Sequence, residues 1–228
     1  MRAGGAAPVV AVCDYGVGNL RSVERALLHA GATVDVTGDA VRLLAADGVV
    51  LPGVGAFGAA LDALDARGLR GTILRIAESG TPLLGVCLGF QLLFDWSEEN
   101  GGREGLGILR GRVVRISPAR GKVPHMGWNR LRFLRPSSLV DGIGDGAYAY
   151  FVHSYEASGV PEGCVVADCD YSGRLPAIVE AGSVAGTQFH PEKSGADGLR
   201  LYANFVALCR AAGAAAPGAA PAPLDATA

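Results

Sequence analysis

The most informative part of this chain is Thr81-Pro82-Leu83-Leu84-Gly85-Val86-Cys87-Leu88-Gly89-Phe90-Gln91. Its first half is a short apolar run that predicts a buried strand, and the apolar residues after Gly89, ending at Trp96, predict a helix. A strand that turns into a helix over one residue, with small residues two positions before and after, is typical of a nucleophile elbow. The residue at the turn is Cys87, and its flanking glycines let strand and helix approach closely around a strained backbone.

The place of Cys87 at a helix start favours its thiolate form. Unpaired N–H groups and a partial positive charge at the helix N-terminus stabilise a negative sulfur. The backbone N–H of Leu88 is predicted to point to where an oxyanion would form. The alternative is a buried and inert cysteine at the end of a strand, which is common for free cysteines.

Apolar runs alternate with amphipathic segments before the elbow. The predicted strands are Val9–Cys13, 32–36 and Gly48–Leu51, and the predicted helices are 20–30, 43–45, 57–67 and 69–79. This alternation predicts an α/β fold with a mostly parallel central sheet and helices on both faces.

The chain after the elbow has a different pattern. Short strands with tight turns are predicted at 112–116, 130–134, 147–152, 164–169, 177–180 and 184–189. They indicate additional antiparallel strands that extend or flank the parallel sheet. The segment 122–129, which carries a proline and glycines, is predicted to be a loop, and a final helix is predicted at 199–211.

Length and composition predict one globular domain. The chain has 228 residues, of which 50% are hydrophobic and 18% charged, enough for a sizeable core. We expect residues 9–211 to form this domain, 1–8 to be a flexible N-terminus, and the Ala/Pro/Gly-rich segment 212–228 to be a disordered tail.

Charge, hydropathy and cysteine content limit the partners and the cellular compartment that we expect for this chain. The net charge is −2, which argues against nucleic acid or an anionic membrane as a partner. The apolar runs are too short to span a bilayer, and the first apolar run is too short for a signal peptide. Five scattered cysteines fit the reducing cytoplasm better than a disulfide framework.

Two glycine-rich turns follow predicted strands, but neither predicts a nucleotide site. The dinucleotide pattern that starts at Gly16 and Gly18 has Arg21 at its third glycine position, so a tight turn is the better interpretation. The loop Gly53-Val54-Gly55 can turn N–H groups toward an anion, but no phosphate-loop Lys and Ser/Thr follow it. No cofactor and no metal site are predicted.

The stretch Gly186-Thr187-Gln188-Phe189-His190-Pro191-Glu192-Lys193-Ser194 is the second chemical motif. Residues two apart in an extended segment face the same side, so His190 and Glu192 are expected to project together. Pro191 between them stiffens the pair. A carboxylate that holds an imidazole in one tautomer is the third member that a Cys–His pair needs.

A cysteine, a distant histidine and a glutamate two residues later predict nucleophilic acyl transfer. His190 would keep Cys87 as a thiolate and protonate the leaving group, while Glu192 would orient the imidazole. The oxyanion would be bound by the N–H of Leu88 and by an amide of the 53–55 loop. An α/β-hydrolase places its acid on a separate strand before the histidine, so a simple hydrolase of that fold is less favoured.

Taken together, the elbow motif and His190-Pro191-Glu192 resemble the class I (triad) glutamine amidotransferase family. More narrowly, the chain is similar to the glutaminase subunits of imidazole glycerol phosphate synthase. The stretches that carry this narrower resemblance are Asp14–Leu20, Pro52–Phe57, Pro124–Asn129, Tyr150–Tyr155 and His190–Ser194. The resemblance runs from about residue 9 to residue 209.

The resemblance implies the fold of that family and a role for each matching position. It implies that Cys87, His190 and Glu192 release glutamate and ammonia from glutamine. The positions implied to hold glutamine or the oxyanion are Gly53, Val54, Gly55, Leu88, Gln91, Glu99, Ser154 and Tyr155, of which Glu99 is ambiguous because Glu98 lies beside it.

The resemblance also implies a protein partner. Trp128, Asn129 and Lys193 match the face that docks the cyclase subunit HisF, a (β/α)₈ barrel, in a heterodimer. Ammonia would pass into that barrel, and the reaction would yield imidazole glycerol phosphate and an aminoimidazole carboxamide ribotide in histidine biosynthesis. A flexible two-glycine loop at 53–55 predicts low glutaminase activity for the isolated subunit.

Three other interpretations remain open at this point. The chain could serve another synthase, of the anthranilate or aminodeoxychorismate type, although Pro124–Asn129 favours the first assignment. It could be a free-standing cysteine peptidase or deglycase, although those usually have histidine after the nucleophile, where this chain has Leu88. It could also be a non-catalytic interaction module that kept the fold.

Overall fold

The elements follow one another as alternating strands and helices in the first half and mainly as strands in the second. The computed structural model describes residues 6–171 and 173–214. The strands are β1 (Val9–Cys13), β2 (Thr33–Thr37), β3 (Gly48–Leu51), β4 (Leu83–Val86), β5 (Phe94–Ser97), β6 (Arg103–Glu104), β7 (Leu109–Arg115), β8 (His125–Arg130), β9 (Arg132–Phe133), β10 (Tyr148–His153), β11 (Tyr155–Ser158), β12 (Val165–Asp170), β13 (Arg174–Ala181) and β14 (Val184–Thr187). The helices are α1 (Leu20–His29), α2 (Ala40–Ala45), α3 (Phe57–Ala66), α4 (Arg70–Glu78), α5 (Leu88–Leu92) and α6 (Gly195–Ala214).

The central sheet joins the two halves of the chain. Within the described residues its order is β2-β1-β3-β4-β14-β13-β12-β9. The pairs from β2 to β14 are parallel, and those from β14 to β9 are antiparallel. The predicted α/β fold, with a parallel sheet extended by antiparallel strands, is confirmed. Because β4 and β14 are adjacent and parallel, the elbow after β4 and the histidine motif after β14 emerge at the same edge of the sheet.

Helices cover both faces of the central sheet. Side chains of α1 and α6 pack in one apolar cluster, with Val23, Leu27 and Phe205 buried in it. Side chains of α2 to α5 pack in a second cluster on the other face. Strands β3 and β4 are buried at every position, as expected for parallel strands covered on both sides.

Two smaller sheets flank the central one. Strands β8 and β10 form an antiparallel pair, which we call the β8–β10 ribbon. The other sheet has the order β11-β7-β5-β6, and its β5–β7 pair is parallel. These sheets place β10 and β11 over the edge at which the elbow lies.

The helix predicted from the elbow to Trp96 is wrong in its length. Helix α5 ends at Leu92, and Phe94–Ser97 is strand β5. Backbone N–H groups of residues 105–108 donate to the carbonyls of residues 92–95, so these carbonyls are satisfied from outside the helix. A tertiary contact therefore overrides the apolar helical pattern.

The loop predicted at 122–129 is also wrong in part. His125–Arg130 is strand β8, paired in register with β10 from Tyr148 to His153. Pro124 lies before the strand, and Gly127 lies opposite Phe151. Pairing with β10 outweighs the local turn signal of proline and glycine, because strand formation depends on cross-strand neighbours.

The last helix is longer than predicted. Helix α6 runs to Ala214, three residues beyond its predicted end at 211, so the first residues of the predicted tail are helical. Positions 1–5 and 215–228, where a flexible end and a disordered tail are predicted, lie outside the described residues. None of the helices in the described part of the chain is long and apolar enough to cross a membrane.

Candidate active site

Cys87 lies in a strained turn between β4 and α5. Its backbone has φ 54° and ψ −107°, and a positive φ is unfavourable for a residue with a side chain. The backbone N–H of Cys87 donates to the carbonyl of Thr187 on the neighbouring strand β14, at 2.8 Å. Its carbonyl accepts the N–H of Gln91 at 3.1 Å. The predicted elbow is thus present, and hydrogen bonds on both sides hold the strained residue.

The two glycines of the elbow permit its close packing. A Cβ atom at Gly89 would lie 1.8 Å from the carbonyl oxygen of Leu51, and one at Gly85 would lie 2.7 Å from Cα of Phe90. Neither backbone atom can move without displacing a strand or a helix. Glycine is therefore required at both positions by the approach of strand and helix.

Helix α5 stabilises a negative charge on the Cys87 sulfur less than the sequence predicts. It has only five residues, and the partial charge at a helix end grows from the alignment of successive peptide dipoles. A positively charged group in contact with the thiol would outweigh it. His190 is the side chain placed to provide that charge.

His190 lies between Cys87 and Glu192. Its Nδ1 is 2.8 Å from Oε1 of Glu192. Its side chain also interacts with that of Cys87, and the two line the same cavity. The His190 and Glu192 side chains are 3% and 2% exposed. The structure thus brings together the three side chains that the sequence predicts as a triad.

The charge state of His190 follows from these contacts. Burial by itself lowers the pKa of the imidazole, but the hydrogen bonds and negative charges of Cys87 and Glu192 raise the pKa overall to about 9. The imidazolium is therefore favoured at neutral pH. An imidazolium in contact with a thiol stabilises the thiolate.

Glu192 has a second partner that the sequence did not predict. The hydroxyl of Tyr202 on α6 donates to Oε2 of Glu192 at 3.4 Å, and the Tyr202 side chain is fully buried. In the sequence, Tyr202 lies among the apolar residues that α6 buries, such as Leu201 and Phe205. A hydroxyl at such a position indicates a buried hydrogen bond. Both carboxylate oxygens of Glu192 thus have partners.

A chain of side-chain amides runs from the nucleophile into the cavity wall. Nε2 of Gln188 lies 4.0 Å from Sγ of Cys87. Nε2 of Gln91 donates to Oε1 of Gln188 and to the carbonyl of Tyr155, each at 3.0 Å. Gln188 is fully buried and was missed by sequence reasoning, although its position two residues before His190 places it on the same face of an extended segment.

A cavity of about 460 Å³ opens above Cys87. The residues that line it are Val54, Gly55, Cys87, Leu88, Gln91, Glu99, Pro124, Val152, His153, Ser154, Tyr155, His190 and Lys193. It includes seven of the eight predicted glutamine or oxyanion positions. The eighth, Gly53, is buried behind Val54, where a Cβ atom would lie 2.7 Å from the backbone N of Gly89.

The ambiguity between Glu98 and Glu99 is resolved by their positions. Glu99 lines the cavity, and its Oε2 accepts the backbone N–H of Phe57 at the start of α3, at 2.7 Å. Glu98 instead accepts the backbone N–H of Arg115 on β7. Glu99 is thus the carboxylate at the cavity.

The three predicted partner-contact residues lie in different settings. Trp128 is 56% exposed on the β8–β10 ribbon. Lys193 is exposed and lines the cavity mouth. Asn129 is turned inward, because its Nδ2 donates to the carbonyl of Asp170 at 2.9 Å and approaches Nε2 of His125 at 3.3 Å.

Sequence reasoning also missed two buried histidines. His125 and His153 form a cross-strand pair in the β8–β10 ribbon, and His153 lines the cavity. Each belongs to a motif that carries the family resemblance, but neither pattern indicates a role. Among residues 6–171 and 173–214, no group of three or more His, Cys, Asp or Glu side chains is arranged to hold a metal ion.

The fold, the elbow and the Cys–His–Glu arrangement together define a class of protein, and comparison with known sequences identifies the same class. Residues 11–209 match the family described as Glutamine amidotransferase class-I. The chain therefore belongs to the class I glutamine amidotransferase family. A solved structure described as a glutamine amidotransferase superposes with a TM-score of 0.69 at 24% identity, over 90% of this chain and 99% of that one, which supports the fold.

Within the family, curated relatives about half identical to this chain are described as imidazole glycerol phosphate synthase subunit HisH. The chain is 50% identical over 210 residues to the HisH of Geobacillus kaustophilus, which covers 90% of this chain and 99% of the relative. It is 52% identical over 207 residues to the HisH of Halobacterium salinarum, covering 88% and 93%. The chain is thus a member of the HisH branch and a glutamine amidotransferase, as the sequence motifs predicted. A subunit of a synthase implies a partner.

Proposed function

We propose that this chain hydrolyses glutamine to glutamate and ammonia with Cys87, His190 and Glu192 as the catalytic triad. We further propose that it passes the ammonia to a HisF cyclase subunit within a cytoplasmic imidazole glycerol phosphate synthase. The observation that carries the proposal is that Cys87 and His190 line one cavity of about 460 Å³, with Glu192 2.8 Å from Nδ1 of His190. No cofactor is needed for this chemistry.

The first half of the reaction forms a thioester. The Cys87 thiolate attacks the side-chain carbonyl carbon of glutamine, and the carbonyl π electrons move to oxygen to give a tetrahedral oxyanion. When the oxyanion collapses, the C–N bond breaks and the nitrogen takes the proton of the His190 imidazolium, so that ammonia leaves. Glu192 stabilises the imidazolium and holds its Nδ1–H tautomer throughout.

The second half regenerates the thiolate. The neutral His190 imidazole removes a proton from a water molecule as the water oxygen attacks the thioester carbon. Collapse of the second tetrahedral intermediate breaks the C–S bond and releases glutamate. The protons balance, since His190 gives one to ammonia and regains one from water.

Backbone amides stabilise the oxyanion in both halves. Leu88 follows the nucleophile directly and lines the cavity, and we assign its N–H as one donor. A second donor comes from the 53–55 loop, whose Val54 and Gly55 line the cavity on the side of Cys87. One such donor is worth about 2.7–4 kcal/mol of transition-state stabilisation.

The other cavity residues hold the substrate. Both N–H groups of Gln91 are used by the protein, at Tyr155 and Gln188, so Gln91 offers glutamine a carbonyl oxygen. Ser154 and Tyr155 also line the cavity, and Glu99 adds a carboxylate that can accept from an ammonium group. Polar groups of this kind suit an amino-acid substrate.

The partner docks on the exposed face of the β8–β10 ribbon. Met126 and Trp128 are 62% and 56% exposed, and the ring centroid of Trp128 lies 6.0 Å from that of Tyr150. Nζ of Lys193 lies 5.9 Å from the Tyr150 ring and reaches the cavity mouth. The apolar face is therefore continuous with the glutamine site, which suits direct transfer of ammonia to the cyclase.

Docking is expected to control catalysis through the 53–55 loop. Val54 is 43% exposed. Gly55 has φ +97°, and a Cβ atom added there would meet no other atom within 4 Å. A loop with this freedom can rotate a peptide when a partner contacts it. We expect the isolated subunit to hydrolyse glutamine slowly.

The test is glutamate release from glutamine, measured for the chain alone, with the HisF cyclase, and with the cyclase and its nucleotide ligand. We expect low activity alone, strong stimulation in the liganded complex, and a loss of several orders of magnitude in Cys87→Ala. Stimulation by an anthranilate or aminodeoxychorismate synthase component instead would favour the other amidotransferase assignment. Unchanged activity in Cys87→Ala would show that the triad assignment is wrong.

A further inference from the structure

Two histidines outside the proposed triad belong to the β8–β10 ribbon, and their side chains are buried on its inner side. His125 on β8 and His153 on β10 face each other across the strand pair. They are 3% and 6% exposed, and the His125 ring stacks between those of Phe151 and Tyr171. A buried imidazole needs hydrogen-bond partners to offset its desolvation, and both histidines have them.

The hydrogen bonds of this pair determine where each proton lies. Nδ1 of His153 is 2.8 Å from the carbonyl oxygen of Tyr155, which can only accept, so Nδ1 carries the proton. Nε2 of a neutral His153 is then an acceptor, and Nδ1 of His125, at 3.1 Å, must donate to it. This leaves Nε2 of His125 to accept from Nδ2 of Asn129 at 3.3 Å.

Burial keeps both histidines neutral. Desolvation lowers the pKa of His125 to about 4. Desolvation is the largest cause and lowers the pKa of His153 to about 3, although its hydrogen bond to the Tyr155 carbonyl acts in the opposite direction. A single direction of donation from Asn129 through His125 and His153 to Tyr155 therefore holds over the physiological pH range.

The Tyr155 carbonyl connects the two histidines to Gln91, which lines the cavity. It accepts a second hydrogen bond, from Nε2 of Gln91 at 3.0 Å. A flipped Gln91 carboxamide would set its own oxygen against this carbonyl, so the carbonyl determines which end of Gln91 is offered to the cavity. Gln91 in turn donates to Gln188, beside Cys87.

We propose that His153, with its tautomer set by His125, is a positioning residue that holds the Tyr155 carbonyl and thereby the Gln91 carboxamide in the orientation that binds glutamine. The proposal rests on the proposed glutaminase function. Neither histidine has a part in the acyl-transfer steps, and His125 does not line the cavity. The expected effect is on glutamine binding, shared by ground and transition states.

The first test compares two replacements of His153 in the assembled synthase. His153→Asn keeps an N–H close to the position of Nδ1, whereas His153→Leu has none. We expect His153→Leu to raise KM for glutamine about tenfold with kcat changed less than about threefold, and His153→Asn to restore KM to within about threefold of wild type. His29→Leu, the same change at an exposed histidine, serves as the control. A wild-type KM in His153→Leu, or equal losses in both His153 variants, would overturn the proposal.

The second test uses the unaltered protein and is independent of variant folding. The chain has four histidines, so long-range ¹H–¹⁵N spectra can resolve each ring. We expect His125 and His153 to be neutral Nδ1–H tautomers at pH 7, and an Nε2–H tautomer or an imidazolium at either would contradict the proposal. If the wild-type synthase releases no glutamate, the proposed function fails and this inference with it. If glutamate release is normal but the His153 variants have the wild-type KM for glutamine, only this inference fails.

Discussion

Nδ1 of His190 lies 2.8 Å from Oε1 of Glu192, and the His190 side chain lines the same cavity as Cys87. The residues come from two segments about a hundred positions apart, and they meet because β4 and β14 pair in parallel, from Leu83 with Val184 to Val86 with Thr187. Each strand ends at the same edge of the sheet, one in the elbow and the other in the histidine motif. The chemistry of the site depends on that strand pair.

Removing the charge of Glu192 should impair catalysis more than binding. In Glu192→Gln the imidazolium loses its carboxylate partner, so we expect kcat for glutamine hydrolysis to fall about 10²-fold or more with little change in KM. The measurement is steady-state glutamate release in the liganded synthase. Glu180→Gln, which removes a carboxylate paired with Arg135 at 3.1 Å away from the cavity, is the control. A Glu192→Gln enzyme within tenfold of wild type would contradict the assigned role.

The raised pKa of His190 predicts how stability depends on pH. Its folded-state pKa of about 9 lies above the ordinary 6.5, so the folded protein binds this proton more tightly than the unfolded chain. The stabilisation is fully present below pH 6.5 and is lost as pH rises through 9, by about 1–3 kcal/mol. Urea unfolding between pH 6 and pH 9.5 should show a shallower decline in His190→Gln. Buried thiols such as Cys13, whose pKa burial raises to about 12, affect both proteins alike. Identical pH profiles would count against a charged His190.

Gly89 should tolerate no side chain. The Cβ atom of Gly89→Ala would meet the Leu51 carbonyl oxygen at 1.8 Å, so we expect the free energy of unfolding to fall by about 3 kcal/mol or more. Gly71→Ala is the matched control, since Gly71 lies in α4 and has nothing within 4 Å of its Cβ position. That change should raise the free energy of unfolding by up to about 1 kcal/mol. Equal effects of the two substitutions in urea unfolding would show that the elbow packing is looser than described.

Trp128 is expected to anchor the cyclase. Trp128→Ala should weaken binding to HisF by about 2 kcal/mol, or about 30-fold in Kd, while changing the free energy of unfolding by less than about 0.5 kcal/mol. Calorimetric titration with the cyclase measures the first quantity and urea unfolding the second. Val41→Ala, at a residue 76% exposed on α2, should leave Kd unchanged. If both variants bind equally well, the partner docks elsewhere.

Sequence patterns predicted the first half of the fold closely. Strands Val9–Cys13 and Gly48–Leu51 are confirmed residue for residue, because continuous apolar runs between turn residues have few alternatives once both faces are buried. The helix after Cys87 was predicted too long and strand β8 was missed. In both places, backbone partners distant in the sequence decided the outcome.

The candidate site divides in the same way. Local motifs predicted Cys87, His190 and Glu192, since a strand-to-helix turn and a pair of residues two positions apart can each be recognised within a few residues of sequence. The choice of Glu99 over Glu98, and the contacts of Gln188 and Tyr202, depend on which strands and helices pack against them. The order of residues marks Gln188 and Tyr202 only as polar side chains near a motif or among apolar ones, and it does not identify their partners.

The parallel sheet, the elbow cysteine and the family could be predicted from the order of residues, because buried strands, glycine spacing and reactive side chains are local properties of the chain. The folded chain was needed to show that Asn129 turns inward, that His125 and His153 share one direction of hydrogen bonding, and that Gln91 presents its oxygen to the cavity. These features depend on donors and acceptors contributed by separate strands, and their pairing exists only once the strands have come together.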